Sequence, residues 1–144
     1  MACSLIPLDK DPVLRPIGIG EVLRRILAKA VTTVLKADLK KAACGLQLCV
    51  GQEGGCEAAV HAMVDIFEDH NCQGIIQIDA TNAFNTINRK VLLHNISYLC
   101  PEIAIFTINC YPLPARLIVV GGHEIDSKEG ATQGDPIAMP IYAI

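Results

Sequence analysis

The sequence predicts an α+β fold, in which several helices flank a small set of strands. Residues 5–20 contain three prolines and two glycines, which favour extended segments and turns over helix. Apolar residues then recur at helical spacing over residues 21–43, and a run rich in isoleucine follows at residues 74–79. With 144 residues, the chain is long enough for one domain with its own core.

The first predicted helix runs from Glu21 to about Ala43. Lys40 and Lys41 lie where positive charge favours a helix C-terminus, and Gly45 is expected to end the helix. The apolar positions that carry the helical spacing are Val22, Leu23, Ile26, Leu27, Ala30, Val31, Val34 and Leu35.

A glycine-rich turn at residues 51–55 precedes a second helix, which is predicted to reach about Asp69. One face of this helix carries Ala59, Met63, Ile66 and Phe67. Residues 74–79 then contain three isoleucines, which predict a short buried strand with Asp79 at its end.

The last third of the chain predicts two helices, a hairpin and a final helix. Asn88 is expected to cap a helix that runs to about residue 98, and Pro101 to open another that ends at Cys110. Residues 116–125 contain a Gly-Gly pair between two β-rich stretches, which predicts a β-hairpin. A loop at residues 129–136 leads into a helix whose first turn is expected to contain Pro136.

Composition excludes a disordered tail, because 51% of the residues are hydrophobic and only 19% are charged. Aromatic residues make up 4%, which leaves few platforms for stacking unpaired bases. No stretch approaches the roughly 18 apolar residues of a membrane span, and the first ten residues lack the pattern of a secretion signal. We therefore predict an intracellular protein, in the nucleus or cytoplasm, that is not secreted.

The seven cysteines are an odd number and are expected to be reduced thiols, most of them small core residues. Cys44, Cys49, Cys56 and His61 have metal-binding chemistry, but their spacing matches no common zinc pattern. Core packing is therefore the preferred interpretation of these cysteines.

Charge is distributed unevenly along the chain. Residues 1–50 carry eight basic and four acidic side chains, a net of +4, whereas residues 51–144 carry four and eleven, a net of −7. This asymmetry is typical of a basic face for phosphates followed by an acidic, metal-seeking region. Ordinary solvated helix faces would also explain the lysines, which are Lys29, Lys36, Lys40 and Lys41.

Asp79 is the first candidate for chemistry. A carboxylate at the end of a buried strand needs a partner that offsets its lost hydration, and a divalent metal ion is one such partner. The alternative interpretation is a turn or cap residue that leads into Ala80-Thr81-Asn82.

The segment Asp79-Ala80-Thr81-Asn82-Ala83-Phe84-Asn85 resembles the first catalytic motif of the reverse transcriptases of non-LTR retrotransposons. The resemblance implies that Asp79 ends a palm strand and binds both Mg²⁺ ions. It also implies that Ala80 and Phe84 contact the incoming nucleotide, with Phe84 excluding a ribose 2′-hydroxyl by its bulk.

Residues 129–136, followed by Ile137-Ala138-Met139-Pro140, are similar to the glycine-glutamine loop of the same family. The resemblance implies that Gln133 lines the nucleotide pocket and that Gly134 lets the backbone approach it closely. Without the family, the same stretch predicts a loop and a proline-started helix, and no chemistry.

Two further segments carry the resemblance. Arg15-Pro16-Ile17, within residues 5–19, looks like the fingers strand whose arginine meets the triphosphate, a task that suits a guanidinium fork. Lys10 is the candidate for a second phosphate contact, because the lysine that the family carries after an Ile-Pro pair is replaced here by Leu8-Asp9. Residues 51–63 resemble a glycine-containing segment that helps to place template and primer.

Taken together, the resemblance implies part of a right-hand polymerase, with fingers at about residues 1–50 and an incomplete palm sheet within about residues 51–144. The implied reaction is nucleotidyl transfer from a dNTP to a DNA primer on an RNA template, with Mg²⁺ as cofactor. The family's adjacent Asp-Asp pair does not occur in this sequence, and the expected thumb is absent too. We therefore expect a fragment that is inactive alone.

Two other functions stay open from the sequence. One is a non-catalytic RNA-binding or interaction module left by a decayed retroelement, for which the basic first 50 residues are the supporting feature. The other is an α/β domain with an unrelated role, which leaves the ordered motifs unexplained.

Overall fold

A mixed four-stranded sheet is formed in a computed structural model that describes residues 2–10, 13–44, 47–48 and 50–144. Its strands are β1 (Ala2–Lys10), β2 (Val13–Gly20), β3 (Ala115–Ile118) and β4 (Glu124–Ser127), in the order β2-β1-β3-β4. β1 and β2 are antiparallel, as are β3 and β4, whereas β1 and β3 are parallel. The extended segments predicted at 5–20 and the hairpin predicted at 116–125 are thus confirmed.

Seven helices are formed by the described residues. They are α1 (Val22–Val34), α2 (Lys36–Ala42), α3 (Gly55–Glu68), α4 (Ala83–Thr86), α5 (Arg89–Leu99), α6 (Pro101–Cys110) and α7 (Ala138–Ala143). None of these helices is long and apolar enough to cross a membrane. The predicted α+β class is confirmed.

Helix boundaries agree closely with the sequence signals. The Asn88 side chain accepts a hydrogen bond of 3.1 Å from the Val91 amide, so the predicted N-cap of α5 is confirmed. The first predicted helix is broken at Leu35, which separates α1 from α2. Gly45, its predicted end, lies outside the described residues, as does Cys49.

The strand predicted at residues 74–79 is wrong. These residues have no regular structure, and Ile76 and Ile78 are 90% and 88% exposed. A strand needs a neighbour that accepts and donates its backbone hydrogen bonds, and no strand of the described sheet lies beside this segment. The β-branched composition alone does not replace that neighbour.

Two smaller corrections follow from local geometry. α7 begins at Ala138 rather than around Pro136, which lies in the preceding turn, where the Ala138 amide donates to the Asp135 carbonyl at 3.0 Å. Among the cysteines, Cys3 and Cys100 are buried but Cys44 and Cys56 are exposed, so core packing explains only some of them.

The core lies between the helices and the loop at residues 129–136. Its largest fully buried side chains come from α2, α5, α6 and the α7 region, and they include Leu39, Ile96, Ile103, Ile137 and Ile141. α3 contributes almost nothing to it, since Val60, Met63 and Phe67 are all exposed.

Candidate functional site

The loop at residues 129–136, called the Gln133 loop below, is fixed to strand β2 by backbone contacts. The Gly18 amide donates to the Gln133 carbonyl at 2.8 Å. A Cβ on Gly18 would lie 2.3 Å from Thr132 Cγ2, and a Cβ on Gly134, whose φ is +100°, would lie 2.9 Å from the Gly18 carbonyl oxygen. Both glycines therefore serve the close packing of loop and strand, which is a structural reason for Gly134 besides the predicted nucleotide contact.

On its other side, the Gln133 loop is fixed to α4. The Ala131 amide donates to the Phe84 carbonyl at 2.7 Å, and the Gly130 amide donates to the Ile87 carbonyl at 2.8 Å. Gly130 has a φ of +66°, and a Cβ there would lie 2.3 Å from the Phe84 carbonyl oxygen. The loop thus joins the segment that carries Phe84 to the strand that carries Arg15.

A cavity of about 200 Å³ lies between α4, the Gln133 loop and the start of α7. It is lined by Phe84, Gln133, Gly134, Asp135, Ala138 and Met139. The Phe84 ring is half-buried and packs against the Tyr142 ring, with their centroids 4.8 Å apart and their planes tilted by 44°. Phe84, Gln133 and Gly134, three of the residues predicted from the sequence to contact a nucleotide, are therefore brought together.

A larger cleft of about 340 Å³ lies between the sheet and α4 and shares Gln133 with the cavity. Its polar lining consists of amides and hydroxyls, from Asn82, Asn85, Thr86, Ser127, Thr132 and Gln133. The Thr132 hydroxyl is buried and has no hydrogen-bond partner among the described residues. Such groups both donate and accept hydrogen bonds, so the cleft suits an uncharged polar ligand.

Behind the cavity, the Asp135 carboxylate is the centre of a buried polar cluster. Its Oδ2 accepts a hydrogen bond of 2.5 Å from Tyr111 Oη and forms an ion pair with the Arg24 guanidinium. The Ile137 amide donates to Oδ1 at 3.3 Å. The Asp135 side chain is 1% exposed and that of Arg24 16%, so the pair is shielded from water.

This environment shifts the proton affinities of both partners of Asp135. Burial and the neighbouring Asp135 carboxylate raise the pKa of Tyr111, because both oppose its ionised form. Burial alone would lower the pKa of Arg24, but its contacts with Cys110 and Asp135 outweigh burial and raise that pKa. Arg24 therefore stays charged and Tyr111 stays neutral.

Arg89 fixes the start of the Gln133 loop. Its Nε donates to the Gly130 carbonyl at 2.9 Å and its Nη2 to the Glu129 carbonyl at 2.8 Å. The guanidinium carbon lies 5.4 Å from the centroid of the Tyr111 ring, and that of Arg24 lies 5.3 Å from the same centroid. Burial lowers the pKa of Arg89.

The remaining predicted residues lie elsewhere. Asp79 and Ala80 are in the exposed irregular segment, and the Asp79 carboxylate has no hydrogen bond or ion pair with any described residue. Arg15 is exposed on β2, opposite Leu8 of β1. Lys10 ends β1, and its side chain is outside what the structure describes.

A complete magnesium site does not fit the described residues. A two-metal site needs several carboxylates that converge on one point, and Asp79 supplies one. Within residues 2–10, 13–44, 47–48 and 50–144, no three His, Cys, Asp or Glu side chains are grouped as they would be around a metal ion.

Sequence reasoning missed the roles of Arg24, Arg89, Tyr111 and Asp135. One signal was present, since Arg24 is four residues before the buried Ala28 and seven before Val31, on the inward face of α1. A cation on that face needs a buried anion, but α1 does not reveal which one. Arg89 and Tyr111 gave no comparable signal.

Comparisons with protein-family models and with curated proteins gave no match. The function proposed below therefore depends on the residue motifs and on the geometry of the cavity.

Proposed function

We propose that this chain forms fingers and palm elements of an RNA-directed DNA polymerase of the non-LTR retrotransposon type, and that a dNTP binds beside the Gln133 loop. The observation that carries the proposal is that Phe84 and Gln133, from two motifs far apart in the sequence, line the same cavity. Their position at one cavity supports a joint role in binding a single ligand.

The cavity's size limits what it accommodates. At about 200 Å³ it is smaller than the roughly 300–1,000 Å³ typical of sites for drug-sized ligands. It would therefore accommodate only part of a nucleotide. We infer that this part is the sugar, because the bulk of the Phe84 ring would oppose a 2′-hydroxyl. The adjoining cleft, with its amides and hydroxyls, offers hydrogen bonds for an uncharged base.

In this proposal, residues outside the cavity bind the triphosphate. Arg15 is exposed on β2 and would engage triphosphate oxygens through its guanidinium fork, with Lys10 as a second cation. Since the sequence contains no adjacent Asp-Asp pair, we expect no template-dependent polymerisation by these 144 residues.

Nucleotide binding by the full chain tests the proposal. Gln133→Ala should weaken dTTP binding about tenfold, the loss expected for one hydrogen bond of roughly 1.4 kcal/mol. Gln73→Ala, a matched change at an exposed position, should leave the affinity unchanged. Phe84→Ala should reduce the preference for dTTP over its ribonucleotide counterpart, 5-methyluridine triphosphate. Equal dTTP affinity in the wild type and Gln133→Ala, measured by titration calorimetry, would contradict the proposal.

A second candidate function is RNA binding without catalysis. Arg15, Lys29, Lys40 and Lys41 are exposed, within the first 50 residues, which carry the basic excess. An RNA affinity that falls with salt, survives Asp79→Ala and weakens on Arg15→Ala would support this function. No RNA binding at low salt would exclude it.

A further inference from the structure

Arg24 forms a side-chain link between the first strand-helix unit and the Gln133 loop. It lies four residues after β2 ends, on α1, and its partner Asp135 comes two residues after Gln133. The loop and β2 are also joined by the hydrogen bond from the Gly18 amide to the Gln133 carbonyl and by close packing at Gly18. The ion pair therefore adds a buried side-chain contact to the backbone hydrogen bond and the close packing that hold the loop beside β2.

Asp135 controls the local turn of the loop. Its amide donates to the Thr132 carbonyl at 3.0 Å, which closes the turn that contains Gln133 and Gly134. Its carboxylate accepts from Tyr111 Oη and from the Ile137 amide, so both carboxylate oxygens are used. Because the carboxylate is buried, it keeps this orientation only while a cation offsets its charge.

We propose that Arg24 is a positioning residue for nucleotide binding, which acts through Asp135 to hold the Gln133 side chain at the cavity. This role rests on the function proposed above. Arg24 does not line the cavity, whereas Asp135 and Gln133 both do. Arg24 therefore affects a ligand through the loop and not by contact.

A double-mutant cycle separates positioning from general stability. Arg24→Gln should weaken dTTP binding by the full chain about tenfold, and Arg24→Lys, which keeps the charge beside Asp135, should restore most of it. In a Gln133→Ala background, Arg24→Gln should cause no further loss. A loss of equal size in both backgrounds would show that Arg24 acts on the fold as a whole and would overturn the proposal.

Hydrogen exchange gives a readout that does not depend on nucleotide. The Gly18 amide donates a hydrogen bond to the loop, and the Asp135 amide donates one within the loop. Arg24→Gln should accelerate hydrogen exchange at both amides and leave the exchange rate of the Ile96 amide in α5 unchanged. An unchanged exchange rate at the Gly18 amide would overturn the positioning role of Arg24 but would not affect the proposed function. A wild-type chain that binds no dTTP instead overturns the proposed function, and with it the role of Arg24 in nucleotide binding. Arg25→Lys, at the neighbouring position of α1, is the matched control for Arg24→Lys.

Discussion

The Gln133 loop and residues 56–80 both carry residues that the sequence marks as functional, yet the two regions are held in opposite ways. The loop contacts β2, α1, α4 and α5, and Ala131, Thr132 and Asp135 are buried. From residue 56 to residue 80, every residue is exposed except Ala59 and Cys72, which are half-buried. Asp79 thus stands in the least supported part of the described chain, and Gln133 in one of the best supported.

The difference shows that apolar composition does not itself determine burial. Ile76 and Ile96 are the same residue type, but Ile76 is 90% exposed and Ile96 is 0% exposed. α5 carries Ile96 into a cluster formed with α6 and α7, whereas no described strand lies beside the irregular segment that carries Ile76. Hydrophobic stabilisation is proportional to the apolar area removed from water, so only Ile96 contributes substantially.

Truncating this matched pair should give the largest effect. Ile96→Ala should lower the free energy of unfolding by about 2–5 kcal/mol, because it removes buried methyl groups and leaves a cavity. Ile76→Ala should change it by less than about 0.5 kcal/mol. Urea denaturation of both variants measures the contrast. A loss of more than about 1 kcal/mol in Ile76→Ala would show that the 74–79 segment is packed in solution.

Arg89 and Lys90 provide the next comparison, since they are adjacent on α5. Arg89→Ala should cost about 2–3 kcal/mol of unfolding free energy, because the buried Gly130 carbonyl and the partly buried Glu129 carbonyl lose a charged donor. Lys90→Ala should be neutral within about 0.5 kcal/mol, since Lys90 is exposed. Equal stabilities of the two variants would mean that Arg89 does not anchor the loop.

Two glycines with nearly the same backbone conformation test the packing of the loop more finely. Gly130 and Gly54 have φ values of +66° and +63°, so Ala at either site meets a similar conformational penalty of about 1–2 kcal/mol. Only at Gly130 would the new Cβ meet backbone, at 2.3 Å from the Phe84 carbonyl oxygen. Gly130→Ala should therefore be less stable than Gly54→Ala by about 1–3 kcal/mol. Equal thermal midpoints would indicate a looser contact between loop and α4.

The smallest effect is expected in alkaline solution, at Tyr111. Its pKa is raised above the ordinary 10.0 in the folded state, so the folded protein holds the phenolic proton more tightly. That contribution to stability is complete below the unfolded pKa and is lost as pH rises above it, through the folded pKa. Between about pH 10 and 11.5, the free energy of unfolding should fall by roughly 1 kcal/mol less in Tyr111→Phe than in the wild type. Tyr98→Phe, at an exposed tyrosine, is the control, and identical slopes for the wild type and Tyr111→Phe would contradict a buried phenol.

Most of the local structure could be predicted from the sequence because its signals are local. Asn88 and Pro101 mark helix starts through chemistry confined to one turn, and Gly121-Gly122 marks the hairpin in the same way. The strand at 74–79 could not be judged locally, since its formation depends on a neighbour. Pairing of Arg24 with Asp135 joins residues 111 positions apart, which no periodicity or spacing rule detects.

The residues of the candidate site also differ in whether local sequence signals could identify them. Phe84 and Gln133 were marked by sequence motifs, and the structure brings them to one cavity. Asp79 was marked with them, but its predicted strand is absent from the described fold. The charged residues that support the loop act through tertiary contacts and are visible only in three dimensions.

The parallel pairing of β1 with β3 sets an order for the folding of this chain. Ala2 lies opposite Arg116, so β1 is synthesised long before one of its two partner strands. Closing so long a loop adds little free energy, because the entropic term grows only with the logarithm of length, but it delays the step that depends on it. On a ribosome that adds about 5–20 residues per second, β1 and β2 would remain an isolated hairpin for several seconds before β3 is synthesised. A chaperone that shields an unpaired strand edge would be of most use to this protein during that interval.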